Sequence, residues 1–364
     1  MSKKRILIIC PYPKGWAAGQ RLKYEQYISH WEENGYEVTI SSFFDLDTWK
    51  VLYIKKNYLK KILGTIKGYF KRIRDIKNAA AYDVVYIFLW VSPLGKFFFE
   101  KALLKRAKKV IYDFDDSIFL DSRNWLQNIL KSPKKFNYLI ENAHHVILSS
   151  PFNLDRCTEI NLNNSVSYIP CSLDTTRFKP LENIATSNTK IVLGWTGTFS
   201  SIPYLDSIRH VLIQLKKERD FKLLLITNFE YEFSEMDLEV IQWKKESEIS
   251  DLNKIDIGLY PIHMDEWSLG KGGLKIMQYM AVGVPGVATN YGTAQHIIDH
   301  GSNGYLVSTD QEWVDVLKLL IDNENLRSQI SANALYDLEK NYSYNAVKDL
   351  YLNILNSIYN HHDN

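Results

Sequence analysis

Two hydrophobic periods alternate along this chain. Largely apolar segments at residues 5–10, 83–91 and 110–113 suit strands buried on both faces, 38–44 reads as a further strand, and shorter segments at 145–149 and 167–170 follow them. Between them, apolar positions recur at three and four, which predicts helices at about 22–34, closed by Gly35, across 49–77, and at 97–107. Residues 181–189 are polar and without period, as in a linker. The alternation then restarts. Strands are expected at 190–193, 223–226, 255–260, 284–289 and 305–307, and helices at 202–217, 294–300, 312–320, 326–341 and about 344–359. Strands alternating with helices predict the α/β class, here as two tandem Rossmann-like halves. The expected domains are 1–180, joined by the C-terminal helix 344–364, and 181–343.

Length agrees, since 364 residues exceed what one core usually holds. The longest apolar run, 84–91, is far shorter than a bilayer span, and the apolar part of the N-terminus runs into Pro11 as a first strand rather than a signal peptide. Cys10, Cys157 and Cys171 lack metal-ligand spacing and an even count, which points to reduced thiols and a cytoplasmic setting.

Charge changes the picture more than composition does. The net charge is +2, yet residues 1–180 carry 29 Lys and Arg against 17 Asp and Glu, and the remainder has 15 against 25. Much of the excess lies in 50–77, where Lys50, Lys55, Lys56, Lys60, Lys61, Lys67, Lys71, Arg72, Arg74 and Lys77 face one acid, Asp75. One reading is a core-packed helix with a basic solvated face; the other is a helix resting on an anionic membrane surface. A second basic cluster at 96–109 favours the membrane, and no motif accompanies it to favour nucleic acid.

Candidate chemistry concentrates in residues 270–289. Gly270, Gly272 and Gly273 let backbone N–H groups approach a ligand, and the helix after them directs its positive end to the same place, an outline of an anion site. Lys271, Lys275 and Gln278, at i, i+4 and i+7, are expected on one face of the first two turns. Gly283 suits a helix C-cap before Pro285 and a short strand. An ordinary helix–strand joint would share these features. In the first half, the loop after strand 5–10 holds Gly15, Gly19 and Arg21 and is expected to face a cleft, and strand 110–113 ends in Asp113, Asp115 and Asp116, where α/β enzymes place chemistry.

Four segments together resemble the retaining group 1, or family four, glycosyltransferases of GT-B fold: 167–180, 256–261, 270–289 and 300–307. The resemblance covers nearly the whole chain. It implies two Rossmann-like domains facing each other across a cleft, a nucleoside-diphosphate sugar on the second, a hydroxyl acceptor on the first, and transfer without metal or cofactor. Asp115, with Asp116 second, falls where many members carry a His-Asp pair near the acceptor, which implies orienting or deprotonating a hydroxyl.

The departures are informative. The family's two donor-site Glu residues are replaced by Gly270 and Gln278, and the usual Arg and Lys after the first donor-domain strand by Thr196, Gly197 and Thr198. A subset with Gly-Lys before the helix and Gln-Tyr-Met-Ala within it looks like this chain. Lys271 and Lys275, with Gly272 and Gly273, are then expected to hold the diphosphate, and Gln278 the ribose. The expected function is retaining transfer to a lipid-linked or envelope saccharide, by a cytoplasmic protein on the inner face of the membrane. Alternatives are a GT-B sugar-nucleotide epimerase, a non-catalytic nucleotide-binding protein, or a membrane-surface or nucleic-acid module.

Overall fold

The computed structural model describes residues 3–52, 54, 56–120, 132–181 and 190–360. The chain divides into two compact units: Met1–Pro170 with Gly270–Gly272 and Val347–Asn364, and Cys171–Leu269 with Gly273–Ala346. Residues 182–189 of the expected linker, and Lys55 of the basic run, lie outside the described residues.

The first unit is built on one parallel sheet of six strands: β1 Lys4–Cys10, β2 Tyr36–Ser42, β3 Val84–Phe88, β4 Val110–Phe114, β5 His145–Leu148 and β6 Val166–Tyr168. Their order is β2-β1-β3-β4-β5-β6. The register sets Ile6 beside Val38 and Val84, and Phe88 beside Asp113. Leu7, Ile9, Val85, Ile87, Val110, Tyr112, Val146 and Leu148 share one core, and all are almost fully buried. The strands read as continuous apolar runs because helices cover both faces.

The second unit repeats the scheme with β7 Ile191–Gly197, β8 Phe221–Thr227, β9 Leu238–Gln242, β10 Ile257–Tyr260, β11 Gly286–Thr289 and β12 Gly304–Val307. The order β12-β11-β10-β7-β8-β9 is again all parallel. In both sheets the first strand lies between neighbours reached in opposite directions. The β1/β3 and β7/β10 boundaries are therefore topological switch points, where loops at the carboxyl ends diverge and leave room for a ligand.

The chain passes from the first unit to the second after Pro170 and returns within helix Tyr344–Asn360. In the first unit this helix places Tyr351 against Tyr27 and Trp31, with ring centroids 5.0 and 6.1 Å apart. Tyr36 donates to Asn356 Oδ1 at 2.9 Å, and Lys4 lies over the Tyr359 ring.

Several local expectations needed correction. The helix expected at 22–34 is a 3₁₀ turn at Glu25–Tyr27 followed by Ile28–Glu33, and a separate helical turn, Ala18–Arg21, precedes it. The side chains at the break are committed elsewhere: Lys23 to β4, and Glu25 to the backbone N–H of Gly15 at 2.7 Å. The period over 49–77 becomes two helices, Leu46–Leu52 and Tyr58–Asn78, separated where Lys56 and Asn57 adopt positive φ of 93° and 61°. The helix expected at 202–217 is Ile202–Asp206 followed by Arg209–Lys216. β9, half-buried at the sheet edge, had no clear apolar run to announce it.

Candidate functional site

At the carboxyl edge of the first sheet, Arg72 is wholly buried. Its guanidinium donates to Cys10 O at 2.7 Å, Ser41 O at 3.1 Å and Val91 O at 2.6 Å, and to Asp75 Oδ2 at 2.9 Å. Five donors in a planar fork suit this task, for they tie together the ends of β1 and β2 and the segment after β3. Cys10 and Cys157 are buried, which pushes their thiols up to about 11 and about 12, so neither is a nucleophile at neutral pH.

β4 brings three carboxylates to this edge in three different environments. Asp113, still within the strand, is fully buried; its Oδ1 lies 2.5 Å from the Lys23 ammonium, and Tyr86 donates to its Oδ2. Burial raises the Asp113 pKa to about 6; Lys23 pulls against this rise, and the charge of Asp115 adds to it. Asp115 accepts from Lys23 at 2.9 Å and from Ser149 at 2.8 Å, and its side chain keeps 25% exposure. Asp116 adopts a positive φ of 57° and lies 3.1 Å from the ammonium of Lys271. Asp115 thus combines two hydrogen bonds with partial exposure, while Asp116, 37% exposed, has its ion pair with Lys271.

The loop after β1 is fixed from beneath. Gln20 closes it on Tyr12 with two bonds of 3.0 Å and meets Glu25, which holds Gly15. A methyl group at Gly19 would stand 3.3 Å from Asp115 Oδ2, so Gly19 and Asp115 adjoin; Arg21 is buried. Lys23 is the residue that sequence reasoning missed. Nothing in the sequence around Lys23 marks it as buried; it lies in the turn between Ala18–Arg21 and Glu25–Tyr27, and its bonds to Phe114 O and Asp115 tie it to the end of β4.

In the second unit the helix expected after the glycine-rich loop spans Leu274–Ala281 and ends at the Gly283 turn. Its N-cap is Gly273, at φ 71°. Lys271 therefore precedes the helix. It does not share the first two turns with Lys275 and Gln278, because three glycines delay nucleation. Gly270–Gly272 groups with the first unit, where a methyl on Gly270 would collide with Ser117 N at 2.2 Å. Lys275 lies 4.7 Å from the ring centre of buried Trp195 on β7, a cation–π contact that holds its charge beside Thr196, Gly197 and Thr198. Tyr279 crosses the β7/β10 switch point: its hydroxyl donates to Leu259 O at 3.2 Å and accepts from Thr196 N at 3.3 Å. Gln278 is buried and donates to Glu248 Oε1 at 3.2 Å, with Trp243 donating to the same oxygen.

The structure thus gathers Asp115, Asp116, Lys271, Gly19 and, beneath them, Lys23 in the first unit. In the second it brings Lys275 to Trp195 and Tyr279 to Thr196 at the switch point, while Gln278, on the same helix, bonds Glu248, and Gly273 caps that helix beside Ile297.

Residues 227–336 match the family described as Glycosyl transferases group 1. No curated protein matches the chain. Similar solved structures include sucrose-phosphate synthase from Thermosynechococcus elongatus, at 14% identity and TM-score 0.74, covering 98% of this chain and 99% of that one. The HepE protein of Anabaena in complex with UDP and glucose gives 14% identity and TM-score 0.69, with coverage of 97% and 100%. The lipopolysaccharide outer core galactosyltransferase WaaB gives 14% identity and TM-score 0.64, with coverage of 97% and 99%. The two Rossmann-like units are those of the GT-B fold, and the matched residues 227–336 lie in the second of them.

Proposed function

We propose that the chain is a retaining glycosyltransferase that moves a sugar from a nucleoside diphosphate to a hydroxyl of a saccharide acceptor. The carrying observation is the β7/β10 switch point. There a glycine-capped helix start and Lys275, held over Trp195, adjoin Thr196–Thr198 inside a segment matching the group 1 family. A diphosphate at this place would meet backbone N–H groups, the positive helix end and an ammonium, all in place before reaction. The bond from C1 of the sugar to the diphosphate oxygen breaks, a bond from C1 to the acceptor oxygen forms with the same anomeric configuration, and the hydroxyl proton is released. Asp115, held by Lys23 and Ser149, is the group proposed to orient that hydroxyl or accept its proton. Lys271 is assigned to the leaving diphosphate with Lys275. Its pairing with Asp116 makes its release part of that role. Gln278, one of whose two amide N–H groups goes to Glu248, is assigned to the nucleoside's ribose through its Oε1.

The structure of the Anabaena protein with UDP and glucose supports the donor class. The outer-core galactosyltransferase supports an envelope saccharide as acceptor, and the basic first half supports an acceptor at the inner face of a membrane. No metal, cofactor or nucleic acid enters this reading. Among the described residues no helix is long and apolar enough to cross a membrane.

Thermal-shift screening of UDP-, GDP-, CDP- and dTDP-sugars is expected to pick out one base. Lys275→Ala should raise donor KM or lower kcat by about tenfold to a thousandfold, as loss of a phosphate-holding group does. Unchanged kinetics in both Lys271→Ala and Lys275→Ala would remove the diphosphate role. Donor conversion with no acceptor present would favour an epimerase. Nucleotide binding with neither hydrolysis nor transfer would favour a non-catalytic protein.

A further inference from the structure

Helix Tyr58–Asn78 turns its apolar face outward. The residues it buries are Gly64, Gly68, Arg72, Asp75 and Ile76. The two glycines let it pack closely on the segment that follows β2: a methyl at Gly64 would collide with Thr48 of helix Leu46–Leu52, and one at Gly68 would stand 2.4 Å from the Phe43 ring. Leu59, Ile62, Leu63, Ile66, Phe70 and Ile73 point away from the unit and are 42–71% exposed. At 100° per residue these six fall within an arc of about 100°. A core-packed helix with a basic solvated face, one of the two sequence readings, is excluded by this exposure.

Charge beside the ridge has one sign. Lys67 and Arg74 follow one edge of the arc with Lys60 behind them, and Lys77 stands at its C-terminal end, all exposed. The helix's one acid, Asp75, is buried against Arg72; Asp45 stands 4.0 Å from Lys67 at the margin. The surface extends beyond the helix. Tyr69 donates to Leu94 O at 3.0 Å and packs on Phe99, which brings exposed Leu94 and Phe98 alongside, with exposed Lys96 and Lys101 next to them.

Single exposed apolar residues are ordinary, but eight together with a basic flank are not. Two copies joined through this face would oppose like charges. An anionic bilayer satisfies both halves: the apolar side chains enter the boundary between headgroups and acyl chains, and the lysines and arginine stay at the headgroups. We propose that helix Tyr58–Asn78, with Leu94 and Phe98, is the surface by which this protein docks on an anionic lipid bilayer, its apolar ridge inserted. This deepens the membrane-side reading above and does not depend on donor chemistry.

The full chain is tested by flotation with phosphatidylcholine vesicles and with vesicles containing phosphatidylglycerol. Binding is expected to the anionic vesicles and to weaken with salt. The triple variant Leu59→Ser, Ile66→Ser, Phe70→Ser should bind roughly tenfold or more weakly. The variant Lys60→Gln, Lys67→Gln, Arg74→Gln, Lys77→Gln should lose most low-salt binding. A polarity-sensitive fluorophore on Phe70→Cys, where the native cysteines are buried, should shift to the blue on anionic vesicles. Thermal stabilisation by a nucleotide sugar, measured in the same variants, should stay at the wild-type value, which separates docking from donor binding. The proposal is overturned by absence of flotation at low salt, by equal binding of wild type and the serine variant, or by an unshifted fluorophore. It is equally overturned if light scattering finds a dimer that the serine variant dissociates while neither protein binds vesicles.

Discussion

The ammonium of Lys23 lies 2.5 Å from Asp113 and 2.9 Å from Asp115, joining the fully buried carboxylate of β4 to the half-buried one after it. Lys23 and Asp113 are 1% and 0% exposed, so neither charge is screened by water. Through this lysine the core of the first unit sets the position of the carboxylate assigned to the acceptor.

Lys23→Met is expected to destabilise the protein by about 3–5 kcal/mol, because it strands a buried carboxylate. The double variant Lys23→Met, Asp113→Asn should recover most of that loss, since the buried charge goes with its partner. Urea unfolding of the two variants checks this; equal instability would show that the lysine acts through packing alone.

Two buried groups titrate in one pH window with opposite sign. Asp113 has its folded pKa raised to about 6 from 3.8, so the stability it contributes is full below about 3.8 and is lost as pH rises through 6. His145, on β5 with Nδ1 2.8 Å from Ser165, is lowered by burial to about 4 from 6.5, so its contribution is present above 6.5 and lost as pH falls through 4. The two oppose one another across this window. Between pH 4 and 6.5 the wild type should show a shallow profile, Asp113→Asn one that rises with pH, and His145→Gln one that falls. Urea midpoints against pH measure the three slopes.

Gly68→Ala should destabilise although alanine is the better helix former by about 1 kcal/mol. The added methyl would sit 2.4 Å from Phe43 Cε1, and overpacking of this kind costs about 1–3 kcal/mol. A lower Tm than wild type is expected. A higher one would mean that the helix is not seated on Phe43.

Gly273→Ala combines two penalties, the left-handed φ of 71° and a methyl 2.3 Å from Ile297 Cδ1. A fall in stability of about 2–4 kcal/mol is expected, together with loss of nucleotide-sugar stabilisation in thermal shift. Retention of full stabilisation would separate the helix start from donor binding.

Tyr279→Phe removes the hydroxyl that links β7 to β10 and leaves Thr196 N and Leu259 O without it. A cost of about 1–3 kcal/mol is expected from the abandoned backbone groups. Because Thr196 opens the candidate donor loop, donor KM should rise as well, which steady-state kinetics would detect.

The sequence by itself determined the two tandem α/β halves. Parallel strands covered on both faces must be apolar throughout, and such runs are visible without any contact. It also determined the location of the glycine-rich start near residue 272, since glycines before a helix leave a compositional mark. The tertiary structure decided what those marks could not carry. Which side of a periodic helix faces inward depends on the neighbour it meets: Gly64 and Gly68 sit against Thr48 and Phe43, and the leucines, isoleucines and phenylalanine that one of the two sequence readings placed in the core are outside. The burial of Lys23 and the hold of Trp195 on Lys275 are contacts between residues far apart in the chain. Periodicity records only a residue's distance from its neighbours in sequence, so such partners, and the charges they fix, appear only once the sheets have formed.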